Sequence, residues 1–348
     1  MSAADAFAEA AALDASGLHE DALRCLIKAA QQGEGRAFTM LGKRYLMGDR
    51  ATLAPPSGVQ LLQKAVGTGQ GEAAHLLAVL HALGVHVAQD WNQCLNLLVL
   101  SAAQGWQDAQ DQLRLLAGNR KLAQQGGNGQ AYWVALARSI DLQHWHTPVS
   151  PELLSASPRI GRVPALVDKD CCSWLIAKAR DKLTPALVYD SVQQKEIRHP
   201  TRSNSSAILG LGDTNVLLTL LQIRIAASMQ VPLRQLEAAT VLHYKGSEQI
   251  RNHFDFIDPA SPNYAEQIRL RGDRIITFLV YLNDNYAEGE TDFPEAVIRH
   301  KGTRGDGLFF VNVTAEGAPD LRTVHAGRPP SAGEKWVVTQ FIRNKPTF

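Results

Sequence analysis

Laid over itself at an offset of 36 residues, the first third of the chain repeats: Leu26 falls on Leu62 and Leu98, Ala29 on Ala65 and Ser101, Gly33 on Gly69 and Gly105. The register continues through Ala37, Ala73 and Ala109 and through Leu41, Leu77 and Leu113, and Gly48 matches Gly84. A period of this length with apolar residues at helical spacing and glycine punctuation restricts the fold severely. Each helix pair can bury its apolar face only against the next pair, which is the arrangement of an α-solenoid. Residues 1–118 are therefore expected to form a helical repeat domain, serving either as a concave docking surface for another protein or as a cap that steadies the rest. After Gly118 the period fails. "QQGGNGQ" precedes a short helical run, "AYWVALARSI", expected as a capping unit, and the proline- and serine-rich stretch 143–164 reads as linker, so 119–160 is taken as capping helix and linker.

The formal net charge is +1, and no run of lysine or arginine interrupts the balance. Binding driven by phosphate neutralisation or by an anionic membrane surface is disfavoured. The first residues, "MSAADAFAEAAALDASG", carry acids where a secretory leader carries positive charge, and no apolar stretch approaches the ~18 residues needed to span a bilayer. Four cysteines, Cys25, Cys94, Cys171 and Cys172, form neither a disulfide framework nor a zinc pattern. The expectation is a cytoplasmic protein with no nucleic-acid or membrane partner.

From Asp170 onward two helical stretches, "CCSWLIAKARDKL" and "NVLLTLLQIRIAASMQ", precede short segments rich in β-branched and aromatic residues: "ATVLHYKG", "RIITFLVYLND", "GDGLFFVNV" and "KWVVTQFIRN". Helices followed by strands give an α+β fold, here an antiparallel double-stranded β-helix, or jelly roll, with supporting helices. The whole chain is then α+β multidomain.

Within this half, "RNHFDF" places His253 two residues before Asp255. On an extended backbone, residues two apart share a face and can converge on one ion. The other His-x-Asp triplet, His19 to Asp21, lies in a helical pattern where the two side chains diverge. His144 and His146 have no third ligand nearby and read as an exposed turn. Two histidines and one carboxylate on one face of Fe(II) leave open positions for co-substrate and oxygen, so a second histidine is needed. His300 and His325 are the candidates. His325 is favoured, because "RPPSAGE" after it makes a turn that returns Lys335 to the same cavity, and a lysine there would neutralise the far carboxylate of a keto diacid such as 2-oxoglutarate.

"LHYKGSEQIRNHFDF", "RIITFLVYLNDNYAEGETDFP" and "VHAGRPPSAGEKWV" resemble the prolyl 4-hydroxylase branch of the Fe(II)- and 2-oxoglutarate-dependent dioxygenases, over residues 161–348. "AFTMLGKRYLMGD" with "GVQLLQKAVGTGQGEAA" resembles the Sel-one-like relatives of tetratricopeptide repeats. The first resemblance implies that His253, Asp255 and His325 ligate iron, that Lys335 and Tyr244 bind 2-oxoglutarate, and that Thr291 lines the pocket. It implies O2 as co-substrate and L-ascorbate as reductant, and marks Arg202 and Ser203 in "HPTRSNSS", and Glu237, as family landmarks. Two departures stand out: Phe341 occupies a place where the family often has tryptophan, although Trp336 is kept, and Glu288 with Gly289 replaces a glycine pair. Arg274 is expected to hold either a charged substrate or an acidic neighbour. Three functions follow from different classes: hydroxylation of a prolyl residue in a protein or peptide recruited by the repeats; hydroxylation of another residue, a free amino acid or a small metabolite; and a non-catalytic interaction or sensor role on an oxygenase scaffold.

Overall fold

The computed structural model describes residues 2–190, 195–197 and 201–348. Two compact units emerge, residues 1–142 with 211–219, and residues 143–210 with 220–348.

In the first unit the 36-residue offset becomes geometry. After α1 (Ala3–Ala15), helices α2 (His19–Gln31), α4 (Pro55–Gly67) and α6 (Trp91–Ala103) begin at 19, 55 and 91, and their partners α3 (Gly35–Met47), α5 (Gly71–Leu83) and α7 (Gln107–Leu116) at 35, 71 and 107. Leu26, Leu62 and Leu98, the equivalent leucines of the first helices, are each fully buried, as are Ala37, Ala73 and Ala109 of the second helices. Gly33, Gly69 and Gly105 turn each pair with φ between 84° and 86°, a left-handed conformation costly for any residue with a Cβ. Small residues also set the spacing between pairs. A Cβ on Gly58 of α4 would lie 2.9 Å from the carbonyl oxygen of Gly42 on α3, a backbone atom with little freedom to yield. Helices α8 (Arg120–Gln125) and α9 (Gln130–Arg138) follow. Trp133 of α9 is fully buried with the Arg114 guanidinium 4.8 Å from its ring centroid.

The second unit contains α10 (Leu142–His146), α11 (Lys169–Arg180) and α13 (Tyr264–Arg271), and most of α12 (Val216–Met229). Its major sheet has eight strands in the spatial order β1 (Glu152–Ala156), β2 (Arg159–Val163), β13 (Gly307–Val311), β9 (Arg274–Tyr281), β16 (Glu334–Arg343), β7 (Ala239–Lys245), β6 (Ser205–Leu209) and β3 (Thr184–Pro185). A second sheet runs β12 (Ile298–His300), β11 (Thr291–Phe293), β14 (His325–Gly327) and β8 (Ile250–His253). Two short pairs, β10 (Ala287–Glu288) with β15 (Pro330–Ala332) and β4 (Val188–Asp190) with β5 (Lys195–Ile197), complete it. The pairings are antiparallel, as the jelly roll requires. Alternation along β16 sorts its residues. Lys335, Val337, Thr339 and Phe341 line the cavity, while Trp336 and Gln340 face outward to the Arg180 guanidinium of α11 and the Gln222 amide of α12.

Two local expectations are corrected. The stretch 143–164 is not a bare linker: it holds α10 and the hairpin β1–β2, whose second strand pairs with β13. Ser157 and Pro158 form the turn, Pro148, Ser150, Pro151 and Pro164 flank the hairpin, and Gly161, which breaks the β-branched pattern, sits where a Cβ would meet the Phe309 ring at 2.6 Å. Nor does a tight hairpin join His325 to Lys335. His325 opens β14 in the smaller sheet and Lys335 lies on β16 in the larger, so the two meet across the space between sheets. In "HPTRSNSS", His199 and Pro200 lie outside the described residues; Arg202 forms a bridge to Ile250.

Candidate metal centre and co-substrate pocket

Antiparallel pairing of β8 with β14 sets His253 directly opposite His325, with ring centroids 4.2 Å apart. The chain leaves β8 after His253 and brings the Asp255 carboxylate between them: His253 Nε2 lies 3.5 Å from Oδ1 and His325 Nε2 3.4 Å from Oδ2. The ligand atoms of all three fall within 4.8 Å of one another, and no other group of this kind occurs among the described residues. Three ligands about 2.1 Å from one ion at right angles would stand about 3 Å apart, so small shifts suffice to close on a metal.

The second nitrogen of each ring is already committed. His253 Nδ1 bonds the Arg251 carbonyl at 2.8 Å and His325 Nδ1 the Thr323 carbonyl at 3.0 Å, so with Nδ1 protonated both Nε2 lone pairs turn toward Asp255. Burial, with the His253 ring beside it, pushes His325 down to about 4, which keeps it neutral near pH 7. His253 is shifted the other way. Burial opposes its charge, but the Asp255 carboxylate outweighs burial and holds it above the usual imidazole value. Burial alone would raise Asp255; the two imidazoles and the Thr277 hydroxyl hold it below the ordinary carboxylate range.

That hydroxyl is a functional group the sequence did not single out. Thr277 Oγ1, on β9, donates to Asp255 Oδ2 at 2.8 Å and accepts from Asn312 Nδ2 at 3.0 Å. The chain Asn312–Thr277–Asp255 fixes the carboxylate rotamer, and all three side chains are buried. Thr277→Val should therefore weaken divalent-metal binding by about tenfold, the lower end of the range for losing a hydrogen bond to a ligand. Equilibrium dialysis against Fe(II) checks this, with Thr277→Ser expected to restore most of the affinity.

A cavity of about 570 Å³ opens from His253, Asp255 and His325 between the sheets. Lys335 is 2% exposed, and among the described residues no carboxylate comes within ion-pair distance of its ammonium. The ammonium lies beside the rings of Tyr244, opposite it in the β7–β16 register and 5.2 Å away, and Tyr281, at 5.8 Å. Burial pushes Lys335 down to about 7. Thr291 lies at the same wall, its hydroxyl 2.8 Å from that of Tyr281. Tyr244, Thr291 and Lys335 thus line the same cavity as His253, Asp255 and His325. His300 does not join them: it stands opposite Thr291 on the neighbouring strand, 5.6 Å from the Tyr281 ring. His144 Nε2 is engaged by the Arg224 guanidinium, and His19 opens α2 beside Asp14. Arg274 has the acidic neighbour: Glu237 accepts from its Nε at 2.7 Å and its Nη2 at 3.0 Å, while the guanidinium lies 3.7 Å from the Phe341 ring centroid and borders the cavity.

Residues 239–343 match the model of the 2OG-Fe(II) oxygenase superfamily. Prolyl 4-hydroxylase 1 of Arabidopsis thaliana is 31% identical over 215 residues, covering 57% of this chain and 74% of the relative. The chain belongs to the prolyl 4-hydroxylase family of 2OG-Fe(II) oxygenases. Among solved structures, a viral collagen prolyl hydroxylase from Paramecium Bursaria Chlorella virus-1 aligns over 53% of this chain and 95% of its own, at 23% identity and a TM-score of 0.40. A Sel1 repeat protein from Oxalobacter formigenes aligns over 36% of this chain and 52% of its own, at 21% identity and a TM-score of 0.27.

As a member of this family the protein is a 2-oxoglutarate-dependent dioxygenase that uses Fe(II), 2-oxoglutarate and O2. Its donor set fits ferrous ion: two imidazole nitrogens and one carboxylate converge, with their remaining polar atoms satisfied by Arg251, Thr323 and Thr277. The Lys335 ammonium, with no carboxylate partner among the described residues, likewise fits the distal carboxylate of the co-substrate. His253, Asp255 and His325 would hold the iron there, and iron with 2-oxoglutarate would supply the oxidising power for inserting one oxygen atom of O2 into a C–H bond. The hydrogen bonds to the Arg251 and Thr323 carbonyls and from the Thr277 hydroxyl hold the rotamers of these three side chains, and the Lys335 ammonium would face a co-substrate carboxylate.

Proposed function

We propose that this oxygenase hydroxylates a prolyl residue in a protein or peptide, with His253, Asp255 and His325 as iron ligands and with Lys335, Tyr244 and Thr291 seating 2-oxoglutarate. The observation that carries the proposal is the relative of 31% identity, named a prolyl 4-hydroxylase, of which this chain covers 74%. The cavity supports it: about 570 Å³ exceeds what 2-oxoglutarate occupies and leaves room above the metal for a substrate segment. Ascorbate is the expected reductant for iron oxidised in uncoupled turnover.

In this proposal the helical repeats recruit the protein that carries the target residue. They present a hollow of about 380 Å³ lined by Phe7, Met40 and Met47 and by both cations and acids, among them Lys43 paired with Glu72, a mixture suited to holding a peptide segment. A cytoplasmic location belongs to the same proposal, supported by four cysteines that are all free thiols. No helix of the described residues is long and apolar enough to cross a membrane.

The test is mass spectrometry of proteins captured by the full chain, after incubation with Fe(II), 2-oxoglutarate and 18O2. A gain of one labelled oxygen on proline, with succinate released in equal amount, is the expected outcome. Label confined to another residue type, or to free amino acids, would replace the prolyl assignment with the corresponding hydroxylase.

A further inference from the structure

At the floor of the cavity the charges cancel once iron and co-substrate are in place. The ferrous ion and the Lys335 ammonium together match Asp255 and the two carboxylates of 2-oxoglutarate. Above that floor the described lining holds two more charged side chains, Arg202 and Arg274, and no acid. Arg274 is only partly neutralised. Glu237 Oε1, which accepts from Arg274 Nε, also accepts from Arg343 Nε at 2.6 Å, so two guanidinium groups share one carboxylate and one positive charge is left over. Among the described residues Arg274 Nη1 donates to no protein group. Arg202 has no carboxylate partner among the described residues either, and its buried Nε makes no hydrogen bond. Among the described residues, Arg202 and the shared Arg274–Arg343 pair therefore leave positive charge uncompensated in the substrate half of a partly enclosed cavity, where screening by water is weak and a complementary anion gains most.

We propose that the substrate carries a carboxylate beside the residue to be hydroxylated, and that Arg202 together with the Arg274–Glu237–Arg343 cluster selects for it. This rests on the cavity being the hydroxylation site, and it specifies the substrate's charge. An aspartate or glutamate side chain next to the target, or a free C-terminus, supplies the same chemistry. The apolar rim of Leu187, Ile208 and Phe254 accommodates the uncharged remainder of the segment.

The test measures binding of end-capped nonapeptides to the full chain loaded with Fe(II) and 2-oxoglutarate under argon, by calorimetry, with the central proline flanked by Glu, Gln or Lys. A fourth peptide ends in proline with a free carboxylate. The glutamate peptide is expected to bind roughly tenfold or more tightly than the lysine peptide. The gap should narrow as salt is raised and shrink severalfold in Arg202→Gln. Tightest binding by the uncapped peptide would assign the carboxylate to a chain terminus. Equal affinities, a preference for lysine, or a gap indifferent to salt would overturn the proposal. Admitting air separates the two claims: charge-ordered binding without proline oxidation refutes the prolyl assignment alone, and proline oxidation without charge order refutes this one alone.

Discussion

Replacing His253 by alanine is expected to lower turnover below about 1% of the wild type and to weaken Fe(II) binding by at least about a hundredfold, beyond the loss typical of a ligand's hydrogen-bonding partner. The ring's aromatic packing among the described residues is confined to its neighbour His325, 4.2 Å away, so little else depends on it. The His253 side chain is 33% exposed, and among the described residues its one hydrogen bond apart from the contact with Asp255 is to the carbonyl of Arg251, two residues earlier. Removing it leaves no large hole, so thermal unfolding without metal should move little. His325 is a poorer choice, because it packs on Phe293 and Phe310 and its loss would open a cavity as well as a coordination position. Metal content after dialysis and succinate release with a substrate peptide read the two effects separately. Retention of more than about 5% activity with iron still bound would exclude His253 as a ligand.

The parts of this arrangement that were legible beforehand are those written locally in the chain. A 36-residue offset becomes helix starts at 19, 55 and 91 because each repeat packs against the next in the same way. Strand β16 was legible because alternation places Lys335 and Trp336 on opposite faces whatever surrounds them. His253 and Asp255 are two residues apart, and although β8 ends at His253 the bend that follows still brings Asp255 to the same point. What escaped was non-local. Thr277 sits in "RIITFLVY", where a threonine is explained by β-propensity alone, and only the fold reveals Asp255 and Asn312 on either side of its hydroxyl. Tyr281 reads as a core aromatic until Thr291 and Lys335 are found beside it. Glu237 lies 37 residues from one of its arginines and 106 from the other, a separation at which no spacing rule operates. The hairpin β1–β2 was hidden by its own turn residues.

The same non-local packing decides what Lys335 does. Lys335→Met should weaken 2-oxoglutarate by roughly 2–4 kcal/mol, about thirtyfold to nearly a thousandfold, while Fe(II) affinity stays within about threefold. The reason is desolvation. The ammonium stands at 2% exposure between two tyrosine rings, so a co-substrate carboxylate meets a charge that water does not screen. With no co-substrate present its pKa falls to about 7, well below the value of an exposed lysine. Binding a carboxylate favours the charged form, so 2-oxoglutarate binding takes up a proton when pH exceeds about 7. Affinity for the co-substrate should then fall as pH rises above that point, and Lys335→Met should abolish that slope. Stability of the co-substrate-free protein runs in the opposite sense. Between the folded value and the higher unfolded one the unfolded chain holds the extra proton, so the lysine's contribution to stability increases with pH through that window and is least favourable below it. Lys335→Met should accordingly stabilise the co-substrate-free protein more at pH 7 than at pH 9. A lysine charged and paired inside the protein would give neither slope, so calorimetric 2-oxoglutarate titrations and urea unfolding at the two pH values decide between a poised cation and a structural one.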